Sequence, residues 1–375
     1  MGPATDRLHE NYTARHTLPA DLSKSVGCIT PAAPIELILA AGLTPVRLHG
    51  NPARLPEMGD TYMEEEIDGE VRSLFDTFLR GEYAQLPLVL MSRGSEQYLQ
   101  LYYYLGEVVK WGDYALPPIK IVDVMQTSNW NTGRYVRARL LETGTLLSDL
   151  GTKITPETLR AAIKETNAMR RALKEMNTLR RDGLFRGSDI LRMTTLFGTL
   201  PSNEFLTLAS DLIAEVGAQD PKGSTNGPRI MLSGTAQDDP GLYEDLETAG
   251  ALVVADDHVA GERVFEHLIA EDCDPWDAIS EHYQLFAPGL RQHPQKRQDE
   301  RFLATCKAAA IDGDLCVLED CDDTLGWDWP SRRQALNAMN VPSVLLTGEN
   351  YFRPDINARK TAIEALLKQV SEGIQ

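Results

Sequence analysis

With 375 residues, 42% of them apolar, the chain is long enough for about two domains and can bury a sizeable core. Its formal charge of −18, without any cluster of Lys or Arg, argues against a nucleic-acid partner, because such a partner needs basic residues facing its phosphates. The amino terminus is polar, no apolar run approaches the roughly 20 residues that cross a bilayer, and the five cysteines are scattered, so we expect a cytoplasmic protein with no membrane association.

Short apolar runs alternate with helical patterns through the first part of the chain. That alternation is typical of a parallel sheet with crossover helices. The predicted strands are Ser25–Thr30, Pro45–His49, Leu86–Met91 and Ile119–Met125. The predicted helices are Pro34–Gly42, Met63–Arg80, Glu96–Lys110 and Asn131–Leu147.

A long helical pattern follows and ends before a predicted linker segment. Thr155 is a good N-cap residue, Pro156 suits the first helical position, and periodic apolar residues continue to Arg181. The segment Gly217–Pro228 is rich in Gly and Pro and is the strongest boundary signal in the chain. We therefore predict a helical connection between two α/β halves.

The strand and helix alternation restarts after Pro228. The predicted strands are Arg229–Ser233, Ala251–Ala255, Leu315–Leu318 and Pro342–Thr347, and the predicted helices are Gly241–Ala249, Arg263–Ala270, Glu300–Ala310, Ser331–Met339 and a last one from Ile356. The predicted domains are an N-terminal α/β domain at 1–150, a helical connection and linker at 151–227 and a C-terminal α/β domain at 228–375.

Two predicted strands end in loops that carry chemically reactive side chains. Ser95 and Glu96 follow one strand, and Cys321 and Asp322 follow another. In open parallel sheets ligands bind outside the carboxyl ends of the strands, so these residues are cleft candidates. Cys321 could ligate iron or zinc, or it could be a small buried cysteine among solvated acids. Cys28 follows the first strand and is open to the same two interpretations.

A set of strand-end aspartates offers a different kind of site. Carboxylate oxygens at the ends of strands are ligands that Mg²⁺ accepts. The alternative is that these acids are ordinary loop residues that cap helices. The candidates are Asp256 and Asp257 after one strand, with Asp320, Asp322 and Asp323 after another.

Several stretches, in order along nearly the whole chain, match the motifs of one known family. They are Pro34–Val46, Arg229–Asp239, Val253–Asp257, Cys321–Asp328 and Asn340–Leu346. Pro34–Val46 resembles the opening Pro-Glu-Glu-Leu-Ile-x-Ala-Ala-Gly-x-x-Pro-Val of the family, and Cys321–Asp328 resembles its late Cys-Asp-Pro loop. The chain thus resembles the smaller subunits of 2-hydroxyacyl-CoA dehydratases (the D-component) and benzoyl-CoA reductases.

This resemblance implies two flavodoxin-like, doubly wound domains and a heterodimer with a homologous subunit. It implies a [4Fe-4S] cluster held by three cysteines between the domains and an ATP-dependent activase as electron donor. It also implies a CoA thioester as substrate. In the dehydratases a ketyl radical expels the 2-hydroxyl group, whereas in the reductases an aromatic ring is reduced; the residues do not decide between these reactions.

The chain departs from the family at the cluster positions. Cys321 matches the late cluster cysteine, but Ser95-Glu96 replaces the middle Cys-Asp, and the first cysteine falls near Ile67-Asp68, where there is none. One thiolate cannot hold a cubane cluster. We expect the partner subunit to hold the cluster, unless Cys28, Ser95 and Cys321 converge on an unusual site. The alternatives are a cluster-free structural or CoA-binding subunit and a Mg²⁺-dependent α/β enzyme.

Overall fold

The computed structural model describes residues 2–217, 226–289, 293–319 and 322–373, which form two four-stranded sheets flanked by helices. The strands of the first sheet are β1 (Ser25–Ile29), β2 (Thr44–Arg47), β3 (Leu88–Ser92) and β4 (Ile119–Val122). The strands of the second sheet are β5 (Arg229–Gly234), β6 (Leu252–Asp257), β7 (Gly313–Glu319) and β8 (Ser343–Glu349). All the strand pairs in both sheets are parallel.

Both sheets have the strand order of flavodoxin-like domains. The orders are β2-β1-β3-β4 and β6-β5-β7-β8, so the first strand of each sheet lies between the second and the third. In this order the direction of winding switches between the two central strands, and ligands bind in the crevice beyond their carboxyl ends. The two crevices therefore lie beyond β1 and β3 and beyond β5 and β7.

The central strands of the first sheet are apolar because helices cover both faces. In β3, Leu88 and Leu90 pack into one core cluster, whereas Val89 and Met91 pack into another on the opposite face. Every residue of β1 is buried. A continuous apolar run is the expected pattern for a parallel strand covered on both faces.

The helices fill the connections between strands and join the two sheets. Those of the first part are α1 (Pro3–Thr13), α2 (Ile35–Ala40), α3 (Gly69–Leu79), α4 (Glu96–Trp111), α5 (Trp130–Leu150), α6 (Pro156–Arg181), α7 (Gly187–Thr195) and α8 (Ser202–Gly217). Those of the second part are α9 (Gly241–Thr248), α10 (Pro275–Leu285), α11 (Gln295–Ala309), α12 (Asp323–Gly326), α13 (Trp329–Asn337) and α14 (Ile356–Glu372). Over the described ranges, none of these helices is long and apolar enough to cross a membrane.

The α/β class is confirmed, and every predicted strand is present with its ends moved by at most a few residues. Thr155 is the N-cap of α6 and Pro156 its first residue, as predicted. The predicted helix Met63–Arg80 begins only at Gly69. The helix predicted at Arg263–Ala270 is wrong: only a short 3₁₀ turn, Glu262–Val264, forms there.

The failed helix is explained by tertiary hydrogen bonds that occupy its backbone and side chains. The Ile269 amide donates to Asn167 Oδ1 at 3.0 Å, and the Ile269 carbonyl accepts from Asn167 Nδ2 at 2.8 Å. Arg263 Nε donates to Asp257 at 3.0 Å. These bonds to α6 and to the end of β6 replace the bonds that a helix would make with itself, so context overrides local propensity.

Residues from both sides of the predicted linker share one core. Tyr283 of α10 donates hydrogen bonds to the Ala33 carbonyl at 3.1 Å and to Glu36 Oε2 at 2.7 Å. Ala278, Ile279 and Tyr283 pack in the same cluster as α2 and α5. The domain limits at 150 and 227 stay a prediction, and residues 218–225 within the predicted linker lie outside the described ranges.

Candidate functional site

An open cavity, here called the intersheet cleft, lies between the carboxyl ends of the two sheets. Loops that follow the four central strands line it: those after β1, β3, β5 and β7. Counted to its open mouth, it holds about 590 Å³. Its lining residues are Thr30, Pro31, Asp68, Glu70, Gly94, Ser95, Tyr98, Thr235, Ala236, Asp238, Val259, Pro288, Glu319, Asp322 and Tyr351. The two switch points thus face one cavity, which is the ligand position expected for this topology.

Two of the candidates predicted from the sequence line the cleft, and both sit near the start of a helix. Ser95 is the N-cap of α4, and its hydroxyl accepts the Tyr98 amide at 3.3 Å. Asp322 accepts the Thr235 hydroxyl at 2.8 Å and the Leu325 amide at 3.0 Å. The first turn of α4 therefore holds the Ser95 side chain, and the loop after β5 helps to hold Asp322.

Two of the three places at which the family resemblance expects cluster cysteines lie at the cleft. Ser95, which replaces the middle cysteine, and Asp68, near which the first cysteine is expected, both line it. Cys321, together with Asp320, lies outside the described residues, but Glu319 and Asp322 on either side of them line the cleft. The cavity is thus where the resemblance places a cluster, but its described walls carry hydroxyls and carboxyls.

Cys28 and Glu96 are not among the lining residues. The Cys28 side chain is buried in a core cluster on one face of β1, and its thiol is 3.7 Å from the Val26 carbonyl. Burial raises the pKa of the Cys28 thiol to about 12, so it stays protonated. Glu96 is exposed and pairs with Arg93 at 3.0 Å. Cys28 does not meet Ser95 in the cleft.

Asp256 and Asp257 also lie away from the cleft lining and are bound by arginines. Asp256 accepts Arg180 at 2.7 Å, and Arg263 lies 2.9 Å from Asp257. Arg301 and Arg332 also pair with Asp257. Burial raises the pKa of each carboxyl, but the arginine charges lower both pKa values below the usual range. Across the described ranges, no three His, Cys, Asp or Glu side chains are arranged to hold a metal ion.

The sequence analysis missed two carboxyl–tyrosine pairs in the cleft. Tyr98 donates to Glu70 Oε2 at 2.5 Å, and Tyr351 donates to Asp238 Oδ2 at 2.8 Å. Glu70 belongs to the first turn of α3, and Asp238 lies in the loop after β5. The strand-end rule applied to β5 could have identified Asp238. Tyr351 follows β8 and carried no such signal.

Crowding of acids changes the protonation of the cleft. Burial and the negative charge of Glu70 raise the pKa of Asp238 to about 7, although the Tyr351 hydroxyl lowers it somewhat. Burial and the charges of Asp68 and Asp238 raise the pKa of Glu319 well above its usual range. Buried carboxyls near one another cannot all ionise at low cost. Ionisation of one of these carboxyls therefore disfavours ionisation of its neighbours.

Thr30 has a strained backbone and an unused hydroxyl. Its φ is 74°, in the left-handed region that β-branched residues rarely adopt. The residue is 2% exposed, and its Oγ1 has no hydrogen-bond partner among the described residues. Such strain clusters at ligand sites, where the surrounding structure holds it. Thr30 thus lines the cleft and carries a buried hydroxyl without a partner in the described part of the chain.

The lining does not fit a [4Fe-4S] cluster, whose irons bind thiolates. Cys28, Cys306 and Cys316 are buried and Cys273 is exposed, and none of these four lines the cleft. Cys321 is the one cysteine left that the sequence places beside it. Carboxylates and hydroxyls prefer harder cations, so the donors in the described lining of the cleft do not match the cluster.

Comparison with known proteins agrees with the fold and with the motifs. The family model of the 2-hydroxyglutaryl-CoA dehydratase D-component matches residues 31–370. The chain belongs to this family, which confirms the resemblance found in the sequence. It is 23% identical over 346 residues to the (R)-phenyllactyl-CoA dehydratase beta subunit of Clostridium sporogenes, an alignment that covers 91% of this chain and 90% of that relative.

Proposed function

We propose that this chain is a subunit of a 2-hydroxyacyl-CoA dehydratase and that it works without an iron–sulfur cluster of its own. Membership of the D-component family and the similarity to a dehydratase beta subunit support the first part. The observation that carries the second part is that Ser95 and Asp68 line the cleft, Ser95 in place of the middle cluster cysteine and Asp68 near the place where the resemblance expects the first.

In this proposal a homologous partner subunit holds the [4Fe-4S] cluster, and an ATP-dependent activase supplies its electron. The name of the relative, a beta subunit, supports the existence of a second kind of subunit. The same name supports a lyase that removes water over a reductase of aromatic rings. The arginine pairs of Asp256 and Asp257 speak against a magnesium enzyme built on these residues.

The intersheet cleft is proposed to take part in holding the acyl thioester. The Thr30 hydroxyl can donate to a thioester carbonyl, and the carboxyl–tyrosine pairs can hydrogen-bond a substrate hydroxyl. A site that combines a preformed cavity with a few placed polar groups is the usual form of a small-molecule site.

The test is anaerobic co-expression with the homologous subunit, followed by iron and acid-labile sulfide analysis. We expect iron in the complex and none on this chain alone, together with conversion of a 2-hydroxyacyl-CoA to a 2-enoyl-CoA. The variant Cys321→Ser should leave the iron content of the complex unchanged. About four irons on the isolated chain, the content of one cubane, would refute the cluster-free part. A complex that dehydrates no 2-hydroxyacyl-CoA would refute the dehydratase part.

A further inference from the structure

We infer that Asp238 is the acid–base group of the intersheet cleft: it takes a proton from, and returns it to, an acyl thioester bound there, and Tyr351 positions it. This inference rests on the proposed function, because it takes a 2-hydroxyacyl thioester as the ligand. It assigns a role to a carboxyl that belongs to none of the motifs seen in the sequence.

Asp238 has the geometry that an acid–base group needs. It lines the cavity from the loop between β5 and α9. Its Oδ2 accepts the Tyr351 hydroxyl at 2.8 Å, which fixes the orientation of the carboxyl. Among the described residues, no hydrogen bond to its Oδ1 and no ion pair of Asp238 is present, and the side-chain bond to Tyr351 uses Oδ2. One oxygen is thus held by the protein while the other is left for a substrate.

The charges around Asp238 keep its proton exchangeable. With a pKa of about 7, the carboxyl can both accept and donate a proton near neutral pH, where general acid–base catalysis works best. Arg15, Arg47 and Arg359 lie around it as cations, and the other titratable groups around it include Tyr12, His49, Glu70, Tyr98, Asp239, Glu319 and Tyr351. Burial and the charges of Glu70 and Asp239 disfavour the ionised carboxyl, and these effects outweigh those of Arg15 and of the Tyr351 hydroxyl, which favour it.

A second carboxyl–tyrosine pair lies across the same cleft and limits where the substrate can bind. Glu70 and Tyr98 belong to helices α3 and α4, which pack beside the first sheet. Asp238 and Tyr351 belong to loops that follow strands of the second sheet. Glu70 is close enough for its charge to raise the pKa of Asp238. Thr30 lines the same space, and its hydroxyl, which has no partner among the described residues, is the donor proposed for a thioester carbonyl. An acyl group placed there lies between the two carboxyls.

The proton transfers balance without a net oxidant or reductant. Loss of water breaks the C3–H and C2–O bonds of the acyl group and forms the C2–C3 double bond. The hydroxyl group leaves C2 with the C–O electron pair as hydroxide, and the Asp238 carboxylate accepts the C3 proton and passes it to this hydroxide, which becomes water. The electron that acidifies C3–H would be supplied by the partner complex and would return to it, so none would be consumed.

Three variants of the intact complex test this role through the pH dependence of kcat/KM. The wild-type rate should rise with pH and level off above about pH 7, where Asp238 is ionised. Asp238→Asn should lose about 10²–10⁴-fold in rate and lose this pH dependence. Tyr351→Phe should move the midpoint to higher pH, because the Tyr351 hydroxyl lowers the pKa of Asp238. Asp277→Asn, an exposed carboxyl paired with Arg137, is the matched control and should behave as wild type.

The outcomes separate this inference from the proposed function. A competent complex in which Asp238→Asn keeps the wild-type rate and pH profile overturns the inference alone. A wild-type complex that dehydrates no 2-hydroxyacyl thioester overturns both. If Asp238→Asn fails to assemble, the Tyr351→Phe profile decides: an unmoved midpoint rejects the role of Asp238.

Discussion

Gly69 and Tyr351 touch so closely that a Cβ at Gly69 would lie 2.1 Å from the Tyr351 Cβ. The contact joins the start of α3 on the first sheet to the segment after β8 on the second. Tyr351 is also the residue that holds the Asp238 carboxyl. The fit between the two halves therefore depends on the absence of a side chain at Gly69.

The variant Gly69→Ala should weaken the fold and displace Tyr351. Real Cβ atoms essentially never come within 3.0 Å of a neighbour, so the start of α3 or the segment around Tyr351 must shift. Overpacking of this kind costs about 1–3 kcal/mol, which urea denaturation would measure. Gly106→Ala is the matched control: its Cβ meets nothing within 4 Å, and Ala in a helix interior should stabilise by about 0.5–1 kcal/mol. Equal urea-denaturation midpoints for the two variants would show that the structure around Gly69 accommodates the added Cβ without loss of stability.

Asp257 should contribute to stability and not to metal binding. Replacing it by Asn leaves Arg263, Arg301 and Arg332 without a buried counter-charge, and breaking a buried pair in this way costs about 3–5 kcal/mol. Asp211→Asn, which breaks an exposed pair with Arg7, should cost no more than about 1 kcal/mol. Urea unfolding of each variant and of wild type, with and without Mg²⁺, measures both losses in the free energy of unfolding. Stabilisation by Mg²⁺ that disappears in Asp257→Asn would restore the magnesium alternative.

Asp238 should make the folded state less stable as the pH rises. The pKa of Asp238 is about 7 in the folded chain, compared with the usual value of 3.8 that applies to the unfolded chain. Between these two pH values, Asp238 is protonated in the folded chain and ionised in the unfolded chain. The contribution of protonated Asp238 to the free energy of unfolding is complete below pH 3.8, the usual pKa, and is lost as the pH rises through about 7. The free energy of unfolding, measured near pH 5 and near pH 8, should therefore fall less in Asp238→Asn than in wild type. An equal fall in both proteins would contradict the raised pKa.

The sequence predicted the sheets well because buried parallel strands leave a strong local signal. The runs at β3 and β7 are apolar on both faces, and the loops after them gave Ser95 and Asp322, which do line the cleft. The strand-end rule also singled out Asp256 and Asp257, but it could not show that arginines distant in the chain, such as Arg180, fill their surroundings.

The rest of the site depends on contacts that no local pattern records. Tyr351 lies far along the chain from Gly69, and its role arises from how the two sheets face one another. Glu70 reads in the sequence as an ordinary acid in the first turn of a helix, which stabilises that end of the helix dipole. Its hydrogen bond from Tyr98, a residue distant in the chain, is visible only in the folded structure.

Replacing Thr30 should weaken substrate binding and leave the stability of the fold nearly unchanged. A β-branched residue in the left-handed region costs about 1–2 kcal/mol of strain, which Gly avoids. Thr30→Gly gains this energy but loses the conformational advantage of a side chain, so its free energy of unfolding should stay within about 1 kcal/mol of wild type. It also removes the unpartnered Oγ1 from the cleft, so the KM for the acyl thioester should rise.

Thr30→Asn separates the two effects, because Asn tolerates the left-handed conformation and restores a hydrogen-bonding side chain. Part of the lost affinity should return in this variant at similar stability. Steady-state kinetics of the complex and urea unfolding of the isolated chain measure the two quantities independently. A KM that is the same in wild type and in Thr30→Gly would mean that the strained residue serves the fold of the β1 loop and not the substrate.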